Sequence, residues 1–307
     1  MKAVCLGAHV LDVLARPVTE IPEGQGGTLV EEIRMAPAGS AGGTAVVLAK
    51  LGATVLSAGA IGRDPLGDAL VKLLQGHGVD TGSLARKADV QTSASVLPIR
   101  PNGDRPALHV IGANGSLTED DIPWEAIETA THVHLGAPEI AGPELCGKVL
   151  ERARAAGAVT SADMLAPGEP GILEWVAPAL AQVDHLLVNE EQASGLAGED
   201  DVAAACAKLR ERGPKVIAAT LGAEGAIVVS DDGEWRVPAH EVEVVDTSGC
   251  GDAFSAGYLR GLADGRALAE AAALGCAAAT FVAGGLGSDA GEFDLAAAER
   301  LAFGEES

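Results

Sequence analysis

Asp246-Thr247-Ser248-Gly249-Cys250-Gly251-Asp252-Ala253-Phe254 decides how the rest of the chain is read. An apolar, β-branched run (Val242, Val244, Val245) precedes it and a long alanine-rich helical pattern follows. The stretch therefore reads as a strand, a glycine turn and a helix start. Gly249 and Gly251 let successive N–H groups face one point. The helix beyond adds its positive dipole end and its unpaired N–H groups. An anion is expected there, with Asp252 beside it in the first helical turn. Such a pairing suits phosphoryl transfer, the carboxylate taking the proton of an attacking hydroxyl. The same residues also suit an ordinary turn with an acidic cap, so the remainder of the chain has to decide.

The 307 residues allow one large α/β domain or two smaller ones. Hydrophobic residues make up 48% and aromatics only 3%, so the core must be aliphatic. The net charge of −23 comes without any cluster of Lys and Arg, which argues against binding to nucleic acid or to an anionic membrane. An anionic ligand then needs local help from backbone N–H groups, a few basic residues or metal ions. The cysteines are Cys5, Cys146, Cys206, Cys250 and Cys276; they are odd in number and form no C-x-x-C pair, so neither a disulfide framework nor a zinc site is implied. His9 and Asp12 interrupt the apolar start, which reads as a strand rather than a signal peptide, and no apolar run is long enough to span a membrane. A reduced, cytoplasmic protein is expected.

Apolar runs at residues 3–6, 54–61, 131–135, 158–163, 183–188 and 215–220 read as buried strands, separated by helical patterns near 40–53, 65–74, 143–156 and 201–212. Residues 167–178 hold several breakers and read as a loop with a short helix. Residues 226–230 and 234–237 form a hairpin, and further helices are expected from 252 to 265, 266 to 282 and 294 to 302. Three pieces break the βα alternation: residues 10–16 with Asp12 embedded, residues 28–35, and a hairpin at 93–111 turning at Asn102-Gly103. They read as a small separate sheet. His132 and His134 share a strand face, which allows metal binding or ordinary packing. The alternation implies a mostly parallel sheet with helices on both faces. Ligands collect at the carboxyl ends of such strands, where Asp12, Gly39, Asn189, Thr220 and Asp252 fall.

The order D-T-x-G-x-G-D at 246–252 resembles the C-terminal signature of the ribokinase-like (PfkB) carbohydrate kinases. Ala36-Pro37-Ala38-Gly39-Ser40-Ala41-Gly42-Gly43 is similar to the N-terminal one. The resemblance covers essentially the whole chain. It implies an α/β, ribokinase-like three-layer sandwich with a mostly parallel central sheet: a single domain over 1–307 with a small β lid at about 13–36 and 90–112. It implies an ATP- and Mg2+-dependent sugar kinase acting on a hydroxymethyl group, with Asp252 as base and Gly249, Cys250 and Gly251 as anion hole. By the same resemblance Asp12, Gly39, Gly43 and Asn114 would meet the acceptor. Asn189, Thr220, Gly222, Gly225 and Cys276 would meet the nucleotide. Asp246 and Ser248, with residues 284–288, would hold a monovalent cation, K+. The lid would cover the sugar and join a homodimer.

Several positions depart from the pattern. Cys250 replaces the usual Ala and Ala38 the first Gly. Val10, Gly43 and Gly136 stand where a ribose kinase carries Asn, Asn and Glu, and Gln192 where the family has the Glu of N-x-x-E. These losses imply room for a larger or less polar acceptor: a nucleoside, a hexose derivative or a keto-deoxy sugar acid. No basic cluster for a sugar phosphate is evident. A nucleoside kinase and a catalytically weak sugar- or nucleotide-binding relative are the alternatives. A dinucleotide oxidoreductase fits poorly, since no G-x-G-x-x-G follows the first strand.

Overall fold

Alternation within the first strand sets the layers. In β1 (Lys2–Gly7), Val4 and Leu6 point into one apolar cluster while Ala3 and Cys5 point into another. A strand buried on both faces is what a parallel sheet between helix layers requires. A computed structural model describes residues 1–304 and carries this pattern through the chain. The remaining strands are β2 (Val10–Arg16), β3 (Glu32–Ala38), β4 (Thr54–Gly62), β5 (Asp80–Lys87), β6 (Ala94–Pro98), β7 (Leu108–Val110), β8 (His132–Gly136), β9 (Val159–Asp163), β10 (His185–Asn189), β11 (Val216–Thr220), β12 (Ala226–Ser230) and β13 (Gly233–Val237).

The central sheet has the order β13-β12-β11-β10-β9-β8-β1-β4-β5. It is parallel from β5 to β11, and the hairpin β12–β13 adds an antiparallel edge. One helix layer, including Pro143–Ala155, Pro170–Leu180 and Val202–Arg210, covers the Val4 face. Ser40–Lys50, Pro65–Gly76, Cys250–Ala263 and Leu268–Ala283 cover the other. The core is aliphatic, as the composition demands.

The second sheet, β3-β2-β6-β7, is the lid. It is mixed: β2 pairs antiparallel with β3 but parallel with β6. Leu14, Ala36, Leu97 and Ile99 form its own small core, which Leu286 joins from the far end of the chain. The lid begins at Val10 rather than residue 13, because β2 leaves the central sheet directly after β1. Asn114 braces that departure: its Oδ1 accepts from His9 N–H at 3.0 Å and its Nδ2 donates to the His9 carbonyl at 3.1 Å.

Two expectations need correction, and one strand, β5, is additional to them. Residues 241–245 are not a strand: Val242 and Val244 are exposed, and the N–H groups of Val245 and Asp246 donate to the Ala283 carbonyl of a helix. The helix Pro170–Leu180 is longer than the breakers suggest; Pro170 sits at its start, where a missing N–H costs nothing. β5 has no apolar run at all, and pairing with β4 makes it a strand.

Candidate active site

The helix Cys250–Ala263 begins at Gly249, whose φ is 75°. A Cβ there would also stand 2.2 Å from that of Ser288, so both conformation and space demand glycine. Among the described residues the N–H groups of Gly249, Gly251 and Asp252 have no partner, whereas that of Cys250 donates to the Thr247 carbonyl at 3.3 Å. The N–H groups left open to a ligand at this helix start are therefore those of Gly249, Gly251 and Asp252, while that of Cys250 is engaged within the turn. Burial pushes the Cys250 thiol up to about 12, so this cysteine is a neutral small side chain.

Asp252 lies over Gly43, on the helix Ser40–Lys50. A Cβ built on Gly43 would stand 2.1 Å from Asp252 Oδ2. Gly43 lines neither cavity described below and makes room for the carboxylate instead. Gly136 likewise faces backbone, 2.2 Å from Ala41 N if a Cβ were added. Burial raises the Asp252 carboxyl well above its usual range; Asp163 and Asp12 add to this, and Arg105 opposes it.

Two acidic groups accompany Asp252. Asp12, on β2, is buried with Oδ1 unpartnered among the described residues. Burial raises it to about 6 against the opposing pull of Ser95 and Arg105. Asp163, at the end of β9, was not singled out from sequence. Its Oδ2 faces His134 Nε2 at 3.3 Å, while His134 Nδ1 meets Ser161 Oγ at 2.9 Å. Its Oδ1 is unpartnered among the described residues. Of the two strand histidines, His134 thus stands beside a carboxylate while His132 meets Thr131, and the described residues contain no cluster of three metal-ligating side chains. Only the strand-end position of Asp163 could have flagged it.

Two cavities meet at Asp252's helix. The first, about 530 Å³, is lined by Asp12, Gly39, Asp163, Asn189 and Asp252, and by Arg105 and His109 of the lid. The second, about 850 Å³, is lined by Gly222, Gly225, Val242, Val244, Cys250 and Cys276. Thr220, Thr247, Gly251 and Phe254 border both. The two share a wall at which Gly251 offers a free N–H, while Gly249 and Asp252 face the first cavity alone. Asn114 belongs to neither: both ends of its amide are committed to His9.

Asn189 and Gln192 form a reciprocal capping box. Asn189 Oδ1 accepts from Gln192 N–H at 2.7 Å, and Gln192 Oε1 accepts from Asn189 N–H at 3.0 Å. Gln192 Nε2 also donates to the carbonyls of Met164 and Ala166. Glutamate could not make those last two bonds, which explains the departure at 192.

Asp246 is fully buried. Its Oδ1 accepts from Ser248 N–H and Oγ–H, and its Oδ2 from Gly287 N–H at 2.9 Å. The loop that follows is held by two cations. Arg34, from the lid, donates to the Leu286 carbonyl and to Asp289 Oδ2; Lys50 Nζ donates to the carbonyls of Asp289, Ala290 and Gly291 at 2.6, 3.1 and 2.7 Å.

A three-layer α/β domain with a β lid, a helix-start anion hole and a neighbouring carboxylate defines a kinase-type site. The sequence matches the pfkB family of carbohydrate kinases over residues 1–292, and the chain belongs to that family. It is a phosphotransferase acting on a hydroxyl group. It is 31% identical over 84% of its length to the ATP-dependent ribose-1-phosphate kinase of Halopiger xanaduensis, also covered over 84%. Among solved structures, adenosine kinase from Sinorhizobium meliloti is 25% identical, with a TM-score of 0.84 over 98% of this chain and 99% of that one. Arabidopsis thaliana ribokinase, in complex with ribose and ATP, has a TM-score of 0.84 at 22% identity, covering 98% of each chain. That likeness establishes the fold.

Proposed function

We propose that this chain transfers the γ-phosphoryl group of ATP to a hydroxymethyl group of a carbohydrate, with Asp252 as general base. The observation that carries this is that Asp252 and the free N–H of Gly249 face the first cavity while Gly251, with its own free N–H, borders both that cavity and the apolar one. The adenine end of ATP suits the apolar chamber, whose Gly222, Gly225 and Cys276 leave a flat, low wall. The phosphates reach the shared wall at Thr220, Thr247 and Gly251. Acceptor hydroxyls find an unsatisfied acceptor in Asp12. Asp252, made basic by burial and by Asp163, takes the hydroxyl proton as the oxygen attacks. The N–H groups of Gly249, Gly251 and Asp252 stabilise charge on the group in transfer.

Magnesium, carried on ATP, would meet Asp163, whose free Oδ1 suits a hard cation. The Asn189–Gln192 pair is committed to its helix cap. When bound, the metal neutralises phosphate charge. A potassium ion beside Asp246 and Ser248 fits less well, because Arg34 and Lys50 already bring positive charge to the same loop; a weak K+ dependence is proposed. The domain is proposed to act as one unit over 1–307 in the cytoplasm. No helix of the described residues is long and apolar enough to cross a membrane. A homodimer through the lid is supported by its exposed Ile33, Met35, Val96 and Leu108.

A nucleoside is the second acceptor reading, favoured by Leu97, Met164 and Leu165 in the lining of the first cavity. The test of the main proposal is Asp252→Asn, assayed with ATP, magnesium and a panel of sugars and nucleosides. Loss of at least about 100-fold in kcat is expected; near-wild-type turnover would falsify the base assignment.

A further inference from the structure

The acceptor cavity has an acidic floor of Asp12, Asp163 and Asp252, yet its lid side carries Arg105 and His109. Arg105 stands on the loop between β6 and β7. The same loop is tied down by Arg100, which donates to the carbonyls of Val18 and Thr19, and by the turn in which Asn102 bonds Asp104. Arg105 itself makes no ion pair or hydrogen bond among the described residues. It lines the same cavity as Asp12 and Asp252, and its positive charge opposes the rise of both carboxyls. His109, on β7, uses Nδ1 on Ser95 Oγ at 3.0 Å and leaves Nε2 free for a ligand.

A free cation over such a site serves either the phosphoryl group in transfer or an anion on the acceptor. The lining separates these. The phosphate wall is Thr220, Thr247, Gly251 and Phe254, shared by both cavities; Arg105 and His109 border the acceptor cavity alone, with Asp12 and Ser95. A chain of net charge −23 has few such groups to offer an anionic ligand.

We infer that the acceptor is an anionic polyol, a sugar phosphate or sugar acid, whose hydroxyls meet Asp12 and whose anionic group meets Arg105 and His109. This rests on the kinase reading above and names its substrate class. Both residues lie in the lid hairpin, far in sequence from the other acceptor residues, so no basic cluster shows in the linear chain. A guanidinium recognises phosphate and carboxylate through paired N–H donors, and a lone lysine would not replace it.

The test compares three matched acceptors with ATP and magnesium: a free pentose, its phosphate monoester and the corresponding sugar acid. Wild type and Arg105→Gln are assayed with each. Wild type is expected to favour one anionic acceptor by at least about 10-fold in kcat/KM, the range of a charge-assisted hydrogen bond. Whichever anion it favours identifies phosphate or carboxylate as the group read. Arg105→Gln should erase that preference through KM for the anionic acceptor. A wild-type preference for the free pentose overturns the inference and leaves the kinase reading intact. Equal loss with every acceptor also overturns it, because the guanidinium then serves ATP. Calorimetric titration of the same sugar phosphate and sugar acid without ATP decides the matter apart from turnover. Binding that weakens about 10-fold or more in the variant supports the inference; no binding of either anion to wild type overturns it.

Discussion

Gly43 and Asp252 occupy one space: a Cβ on Gly43 would stand 2.1 Å from Asp252 Oδ2 and 3.0 Å from its Cβ. Loss of a side chain at 43 therefore does not hollow out the acceptor cavity. It lets the Asp252 carboxylate settle onto the helix Ser40–Lys50. Gly43→Ala should displace the carboxylate by about 1 Å and lower kcat on the order of 100-fold. Because Gly43 lies in a regular helix, the substitution also adds helix propensity, so the thermal midpoint should move little. Steady-state kinetics beside a melting curve separate a misplaced base from a misfolded protein.

Gly251 offers the complementary case. A Cβ there would meet nothing within 4 Å. Gly251→Ala should fold as well as wild type, yet set a methyl group on the wall where phosphate must approach the free N–H groups. KM for ATP is expected to rise, or kcat to fall, by about 10-fold or more, as for loss of one oxyanion donor. Wild-type kinetics for this variant would place the phosphates elsewhere.

The central layers were legible because β1, β8, β10 and β11 are short apolar runs between helical patterns, and parallel burial leaves that mark. β5 left none, since only Leu84 of its residues is buried and the strand is fixed by pairing with β4. The site was legible where its chemistry lies in contiguous residues, as at 249–252. It was not legible where it depends on contact between distant segments. Gly43 beneath Asp252, Asn114 on His9 and Asp163 behind His134 are all meetings of residues far apart in the chain. The family resemblance made Asn114 look like a ligand, and no contiguous motif pointed to Asp163.

Asp12 makes the site pH-dependent. Its folded pKa, about 6, exceeds the ordinary 3.8 because of burial. A carboxyl with a raised folded pKa binds its proton more tightly in the folded chain, so its contribution to stability is fully present below about 3.8 and is lost as pH rises through about 6. Acceptor binding runs the other way, since hydroxyls donate best to the ionised form. The prediction is that kcat/KM for the acceptor falls as pH drops through about 6. Asp12→Asn should flatten that limb, bind acceptor more weakly, and at pH 8 be more stable than wild type by on the order of 2 kcal/mol.

Gln192 tests whether the departure from N-x-x-E concerns metal or architecture. Gln192→Glu keeps the oxygen that accepts from Asn189 N–H but loses both N–H bonds to Met164 and Ala166 carbonyls, and sets a negative charge against them. Chemical denaturation should show a loss of roughly 1–3 kcal/mol. Activity should not gain in magnesium affinity, because the new carboxylate is pinned in the cap. A tighter magnesium response with unaltered stability would reverse that assignment.

Lys50 carries the last prediction. Its ammonium donates to three consecutive carbonyls, those of Asp289, Ala290 and Gly291, and stands 5.0 Å from the Phe293 ring centroid. Backbone oxygens converging on one positive charge are the arrangement that a bound monovalent cation would otherwise organise. Here the charge is covalently part of the helix Ser40–Lys50. The loop it fixes presents Ser288 against Gly249 and Gly287 N–H to Asp246, so its order is passed to the anion hole. Lys50→Met keeps the apolar stem but leaves three carbonyls without their donor. It should cost about 1–3 kcal/mol of stability and raise KM for ATP through the loosened Gly249 turn. Potassium should restore part of the lost activity in Lys50→Met while changing wild type by less than about threefold, under 1 kcal/mol. If potassium instead stimulates wild type strongly and does nothing for the variant, Lys50 and Arg34 are ordinary loop anchors and the cation site beside Asp246 and Ser248 is a separate one.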